Sequence, residues 1–211
     1  MFKQNFRFST IILAIIIFLV FIIQVIDPSF TESYKLVGNE AFERPWILLT
    51  SIFLHGSLEH LLYNLFALVL FGIILENIIG SKRFIFVFLL SGLIASVISS
   101  FFYNSALGAS GAIFGVMGTL IILRPNMSIW VYMIPMPMYI AGIVYFVINF
   151  FGAYLGIGST GYVAHLSGLG VGLIFGLNYR KKFGEHRTYT ATNEWVDKYL
   201  DEYERKNKLR K

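Results

Sequence analysis

The stretch GASGAIFGVMGTLIILR, residues 108–124, is apolar but too short to cross a bilayer alone. A helix from Ser110 to Arg124 would rise about 21 Å, whereas the hydrocarbon core is about 30 Å thick. The segment before it, Tyr103 to Ala109, must therefore enter the membrane as non-helical backbone. Such backbone is tolerated only where protein or water surrounds it. We infer a water-accessible cavity open to the outside, with Ser110 at its floor.

The composition is that of a protein embedded in a lipid bilayer. Of the 211 residues, 56% are hydrophobic and 14% are charged, whereas about a quarter of a soluble domain is charged. Long apolar runs exclude disorder, and the lack of a basic polar face outside the chain ends excludes nucleic-acid binding. The absence of cysteine excludes disulfides, thiolate catalysis and cysteine-ligated metal sites. We expect one domain, with neither a metal nor a cofactor.

Six apolar stretches are predicted to cross the membrane as helices, since a full span needs about 18 or more apolar residues. They cover about residues 8–26, 58–79, 84–103, 110–123, 129–152 and 162–179. The first continues to Ile26 without a small-residue cleavage site, which indicates a retained helix and not a signal peptide. The expected fold is an all-α bundle of six transmembrane helices over residues 1–180, with a short central fourth helix.

The distribution of positive charge predicts the orientation of this bundle, because cytoplasmic loops carry an excess of Lys and Arg. Six spans put both termini on one side of the membrane, and 15 of the 17 Lys and Arg residues fall on that side. Only Lys35 and Arg44 fall on the other side. We therefore expect both termini in the cytoplasm and residues 27–57 outside.

Residues 181–211 form a polar tail after the last span. Apolar and aromatic residues recur there at helical spacing from Trp195 to Tyr203, which predicts a short amphipathic cytoplasmic helix. Five of the last seven residues are basic and would favour an anionic inner leaflet. A solvated helix that serves only topology explains the tail equally well.

Polar side chains inside membrane spans are costly and are therefore functional candidates. His60 and Asn64 share one face of the second span, Ser110 opens the fourth, and His165 lies near the start of the sixth. Measured from the basic residue that ends each helix, Ser110 and His165 lie at about 21 and 22 Å. Asn64 lies about 27 Å from Lys82, which places it and His60 slightly higher or on a tilted helix. The four groups are thus predicted to share one layer in the outer half of the membrane. Glu76 lies near the inner face and is expected to be structural.

Glycine-lined faces indicate that the fourth and sixth spans pack closely, since small residues let membrane helices approach each other. The glycines are Gly111, Gly115 and Gly118 on the fourth span and Gly168, Gly172 and Gly176 on the sixth. Their contact would bring Ser110 against His165. Plain helix association, without any chemistry, also explains these glycines.

The four polar groups together predict acyl transfer. Ser110 in Gly108-Ala109-Ser110-Gly111 starts a helix, where free backbone N–H groups stabilise a developing anion. His60 and Asn64 could complete an oxyanion hole, and a neutral His165 would be the general base. Because no Asp or Glu is placed to orient His165, a dyad oriented by packing is expected, with Phe114 stacked on the imidazole. Each group taken alone is more simply explained as structural.

These residues resemble the rhomboid family of intramembrane serine proteases over spans two to six. The matching motifs are His55-x4-His60-x3-Asn64, Gly108-Ala109-Ser110-Gly111 and Ala164-His165-x2-Gly168-x3-Gly172. The resemblance implies a Ser110–His165 dyad, and an oxyanion hole formed by the Ser110 N–H, His60 and Asn64. It also implies substrates that are transmembrane helices of other proteins, cut near the outer surface. Gly108, Gly111, Phe114, Gly168 and His55 are expected to support the site.

Some positions depart from the pattern that the resemblance implies. The Trp-Arg signature of the first outer loop occurs only as Arg44-Pro45-Trp46, and Phe114 stands where many bacterial relatives have Tyr. The fifth span, with Gly142, resembles the helix proposed as a lateral substrate gate.

Two other functions remain open from the sequence. A catalytically inactive relative would bind membrane proteins with the same scaffold, although such proteins typically lose the serine or the histidine. A small polytopic transporter would carry internal repeats and polar groups through the full membrane thickness. The composition suggests a bacterial plasma membrane, and an organelle is an alternative. The oligomeric state and the natural substrate are not predicted.

Overall fold

The computed structural model describes residues 8–131, 133–156 and 161–184, with Lys198, Tyr199, Glu202 and Arg205. In chain order the elements are α1 (Ser9–Ile26), α2 (Pro28–Tyr34), β1 (Leu36–Val37), α3 (Ile47–Thr50), α4 (Leu58–Ile79), α5 (Ser81–Ser99), β2 (Ser105–Ala106), α6 (Ser110–Leu123), β3 (Ser128–Val131), β4 (Ile134–Pro137), α7 (Met138–Leu155) and α8 (Tyr162–Phe183). Apart from its first residues and these four positions, the predicted tail lies outside the described residues.

Within the described residues, four helices are long and apolar enough to cross a membrane: α1, α4, α5 and α7. Helix α6 is apolar but has only 14 residues. Helix α8 has 22 residues and is less apolar because it carries several glycines, His165 and three basic residues in its last turn. The two helices that carry Ser110 and His165 are therefore those least suited to face lipid.

Helix α6 lies in the core, between α5 and α8, and most of its side chains are buried. A Cβ atom on Gly168 or Gly172 would overlap the carbonyl oxygen of Gly111 or Gly115, so the α6 and α8 backbones touch. The hydroxyl of Thr119 also donates to the carbonyl oxygen of Gly172 at 3.1 Å. This is the contact that the two glycine faces predict.

Helix α1 is attached to the end of α4 through the carboxylate of Glu76. The carboxylate accepts hydrogen bonds from the backbone N–H groups of Ser9 and Thr10 at 3.0 and 2.9 Å. It also accepts from the hydroxyls of Thr10 and Ser81 at 2.7 and 2.6 Å. A negative charge at a helix N-terminus is favourable because the free N–H groups there need acceptors. The structural role predicted for Glu76 is confirmed.

Helix boundaries differ from the sequence-based prediction in three helices. The sixth apolar stretch, predicted over 162–179, is helical to Phe183. The third apolar stretch, predicted over 84–103, is helical over Ser81–Ser99. The fifth, predicted over 129–152, is helical only from Met138, because residues before it form the β3–β4 hairpin. Pro135 and Pro137 lack a backbone N–H and disfavour helical conformation in the residue before them, which accounts for the later start.

The segment between α1 and α4 holds the loop that leads into α6. Strand β1 pairs antiparallel with β2, with Leu36 opposite Ala106. The N–H of Gly108 donates to the carbonyl oxygen of Ser51 at 2.9 Å. These hydrogen bonds fix the non-helical backbone immediately before Ser110.

Arg44 stabilises the segment between α1 and α4 through contacts within it. Its guanidinium pairs with Glu40 at 2.6 Å and also donates to the carbonyl oxygen of Ser33. It lies over the ring of Trp46 at 5.8 Å, within the range of a cation–π contact. In the Arg44-Pro45-Trp46 sequence, the arginine and tryptophan side chains are therefore in contact with each other.

Candidate active site

Ser110 and His165 lie within hydrogen-bond distance of each other. Ser110 is the first residue of α6, and His165 lies in the first turn of α8. The Oγ atom of Ser110 is 2.8 Å from Nε2 of His165. Since backbone contact between Gly111 and Gly168 holds the two helices together next to this pair, the glycines set the distance.

The imidazole of His165 is covered on one face by Phe114. The two rings are stacked, with centroids 4.4 Å apart and an interplanar angle of 8°. Tyr145 of α7 packs its ring against Phe114 edge to face, with centroids 5.8 Å apart. The stacking contact that the sequence predicts for Phe114 is therefore present, and it restricts rotation of the His165 ring.

The other ring nitrogen of His165 contacts Asn149, a residue that the sequence-based prediction did not include. Nδ1 of His165 is 2.7 Å from Oδ1 of Asn149, which is buried on α7. Nδ2 of Asn149 donates to the carbonyl oxygen of Tyr145 at 2.7 Å. The imidazole is thus held by a hydrogen bond as well as by packing. The available signal was an amide inside an otherwise apolar helix, the same signal that selected Asn64.

His60 and Asn64 lie in the first two turns of α4. Ser57 caps this helix, accepting a hydrogen bond from the His60 N–H at 3.1 Å. The side-chain amide of Asn64 donates to the carbonyl oxygen of His60 at 2.9 Å, which leaves its second N–H hydrogen for another acceptor. The imidazole of His60 lies against Gly108, where a Cβ atom would be 2.8 Å from Cε1. Gly108 has φ +127°, a conformation that favours glycine.

His55 is buried behind this group and contacts the edge of the His60 ring, with centroids 5.0 Å apart. Its hydrogen bonds run through its backbone: the N–H donates to Gln24 Oε1 at 3.0 Å, and the carbonyl accepts from Gln24 Nε2 at 3.2 Å. Neither ring nitrogen has a hydrogen-bond partner among the described residues. The backbone of His55 therefore forms the hydrogen bonds, while its ring packs against His60.

One cavity of about 940 Å³ joins these groups. Its polar lining residues include His60, Asn64, Ser110 and His165. Phe66 and Trp130 also line it, and they are 69% and 71% exposed on the outer surface of the bundle. The cavity therefore reaches a surface that is apolar. In the part of the chain that the structure describes, no group of three or more His, Cys, Asp or Glu side chains could hold a metal ion.

Most of the chain matches the model of a known protein family. The model of one protein family, described as Rhomboid domain, matches residues 43–182. The chain belongs to the rhomboid family. The matched region runs from the segment before α3 into the last turn of α8 and includes all four polar groups. The family predicted from the sequence motifs is confirmed, and with four apolar helices of spanning length this rhomboid is a membrane protein.

Curated proteins similar to this rhomboid come from bacteria and eukaryotes. It is 30% identical to Rhomboid protein 1, mitochondrial, of Saccharomyces cerevisiae over 168 residues, which are 75% of this chain and 49% of that protein. It is 38% identical to RHOMBOID-like protein 6, mitochondrial, of Arabidopsis thaliana over 86 residues, covering 40% and 27% of the two chains. It is 38% identical to Rhomboid protease GluP of Bacillus subtilis over 128 residues, covering 56% and 24%. The chain spans at most about half the length of these relatives.

Proposed function

We propose that this rhomboid is an intramembrane serine endopeptidase that cleaves transmembrane helices of other proteins. The observation that carries the proposal is the 2.8 Å contact between Ser110 Oγ and His165 Nε2. A serine becomes nucleophilic when a neutral imidazole accepts its proton, and the contact has the length that this transfer needs. The naming of GluP as a rhomboid protease supports the same reaction class.

The proposed reaction has two steps. Ser110 Oγ attacks the carbonyl carbon of the scissile peptide bond while His165 Nε2 takes the serine proton. The C–N bond then breaks, His165 gives this proton to the leaving amine, and the acyl group stays on Ser110 as an ester. In the second step a water molecule attacks the ester and gives a proton to His165. The C–O bond to Ser110 breaks, and the proton returns to the serine.

An oxyanion hole is proposed from the Ser110 N–H with His60 and Asn64. The Ser110 N–H precedes the first helical hydrogen bond of α6, from the Ile113 N–H to the Ala109 carbonyl oxygen, and lies at the positive end of the helix dipole. Asn64 retains a second amide hydrogen, and the absence of a Cβ on Gly108 leaves room for the His60 ring. Removing one such donor commonly costs about 10²- to 10³-fold in rate.

The proposed topology has six spans, α1 and α4 to α8, with both termini in the cytoplasm. It makes residues 1–180 the membrane domain and residues 181–211 a cytoplasmic tail. The excess of Lys and Arg on the side of the termini supports it. The active site then opens to the outer face, and the apolar cavity wall at Phe66 and Trp130 suits a substrate helix within the bilayer. A bacterial plasma membrane is the proposed location, and the partners are membrane-protein substrates and lipid.

The test is cleavage of a single-span reporter whose outer end contains small residues, in liposomes that contain the purified protein. Wild type is compared with Ser110→Ala, His165→Ala and a control, Ser99→Ala, which removes a buried hydroxyl that also lines the cavity. We expect cleavage by wild type and the control and none by the two dyad variants. Equal cleavage by all four proteins would mean a contaminating protease. Reporter binding without cleavage by wild type would identify an inactive scaffold.

A further inference from the structure

Asn149 is a buried amide on a helix whose other large side chains mostly face outward. Phe146, Val147, Ile148 and Phe150 beside it are each more than 40% exposed, whereas Asn149 is 4% exposed. A buried amide without hydrogen bonds is costly, and in a membrane no water replaces the missing partners. Both polar atoms of Asn149 have partners, one on its own helix and one on α8. These partners determine what the residue can do.

The hydrogen bond to Tyr145 fixes the orientation of the amide. A carbonyl oxygen can only accept, so the atom of Asn149 that faces the Tyr145 carbonyl must be the donating nitrogen. The oxygen of Asn149 then faces Nδ1 of His165 and can only accept. Nδ1 must therefore carry the hydrogen, which leaves Nε2 of a neutral imidazole unprotonated. Unprotonated Nε2 is the atom that lies 2.8 Å from Ser110 Oγ.

We propose that Asn149 is a positioning residue that holds His165 in the tautomer and ring orientation needed to accept the Ser110 proton. The inference rests on the proposed function of the site, because the tautomer matters only if Ser110 is activated. When His165 takes the proton at Nε2, its Nδ1–H stays hydrogen-bonded to the Asn149 oxygen. The side chains of Ser110, His165 and Asn149 then form a continuous chain of hydrogen bonds.

This assignment makes α7 part of the catalytic apparatus. Helix α7 contacts its neighbours through small residues: Gly142 packs on Ile121 of α6, and Gly152 packs on the ring of Tyr162 of α8. The hydrogen bond from His165 to Asn149 is 2.7 Å long, so an outward shift of α7 by about 1 Å would break it. The general base is then correctly oriented only while α7 is docked against α8.

A purely structural role for Asn149, as a buried amide that is merely satisfied, predicts different results. In that case replacing Asn149 would lower thermal stability and affect KM and kcat in no fixed pattern. Positioning predicts a change in the His165 tautomer and a fall in kcat with little change in KM. The two roles therefore differ in the expected His165 tautomer, which can be measured by NMR independently of folding stability.

The experiment compares wild type with Asn149→Leu, which has similar volume without hydrogen-bonding atoms, and with Asn149→Asp, which keeps an acceptor oxygen whether or not it is protonated. Asn178→Leu makes the same change at an exposed position of α8 and is the matched control. The first measurement is ¹⁵N NMR of histidine-labelled protein in detergent, with the His165 signals assigned by their loss in His165→Ala. The second is kcat and KM on the single-span reporter.

We expect the Nδ1–H tautomer of His165 in wild type, Asn149→Asp and the control, and a mixture of tautomers in Asn149→Leu. We expect kcat of Asn149→Leu to fall at least about tenfold, equivalent to about 1.4 kcal/mol, with KM within about twofold. Asn149→Asp should keep most of the activity. An Nε2–H tautomer in wild type, or an unchanged tautomer and kcat in Asn149→Leu, overturns the inference. Inactive wild type with the expected tautomers overturns the proposed function alone.

Discussion

Replacing Gly168 by alanine tests whether the contact between α6 and α8 sets the geometry of the proposed dyad. A Cβ at this position would overlap the carbonyl oxygen of Gly111 and lie 2.8 Å from its carbonyl carbon. Gly168 is three residues after His165, and Gly111 directly follows Ser110. Gly170 on the same helix is the matched control, because a Cβ added there meets no atom within 4 Å.

The size of the effect follows from these distances. Carbon atoms prefer a separation of about 3.5–4.0 Å, so the helices must separate by about 1 Å next to Ser110 and His165. Overpacking of this kind costs about 1–3 kcal/mol of stability. A misplacement of reacting groups by about 1 Å can lower the rate by about 100-fold. The Gly170→Ala change instead gains helix propensity of up to about 1 kcal/mol.

The assay measures kcat/KM on the single-span reporter and the Tm of each purified variant in detergent. We expect Gly168→Ala to lose about 100-fold in kcat/KM and to unfold at a lower temperature. Gly170→Ala should keep kcat/KM within about twofold of wild type and should not lower the Tm. Wild-type activity in Gly168→Ala, or equal damage from both substitutions, would refute the claim that backbone contact at this glycine positions the dyad.

Other contacts give further expectations. Phe114→Leu removes the ring stacked on His165, the proposed general base. It should lower kcat about two- to tenfold, because an aromatic pair contributes about 0.5–1.5 kcal/mol, while Phe114→Tyr should keep activity. Full activity of Phe114→Leu would contradict a role for the stacked ring. Gly108→Ala adds a Cβ at 2.8 Å from the His60 ring and should lower cleavage at least about tenfold, with reporter binding unchanged. Thr10→Val removes one hydroxyl donor to Glu76. It should lower the Tm by at least about 2 °C in a thermal scan. The reporter assay at low temperature should show unchanged cleavage.

The parts of the site that the sequence predicts well are those fixed by short-range pattern. His60 and Asn64 are i and i+4 on one helix, and the glycine spacing on α6 and α8 defines faces that can only pack closely. Depth along a helix follows from its rise per residue, so Ser110 and His165 could be placed in one layer before any contact was known. These features need only helix geometry and the cost of burying polar groups.

The sequence-based prediction does not include Asn149, because its distance from the end of the helix depends on where α7 starts and ends. A span over 129–152 places Asn149 three residues from the outer end, where a polar side chain can reach the interface without a partner. In the structure the hairpin of β3 and β4 precedes the helix, which starts at Met138 and continues to Leu155. Asn149 then lies six residues, about 9 Å, before that end, and its side chain is buried against His165 of α8. A buried amide needs hydrogen-bond partners within the protein, and His165 supplies one of the two partners of Asn149.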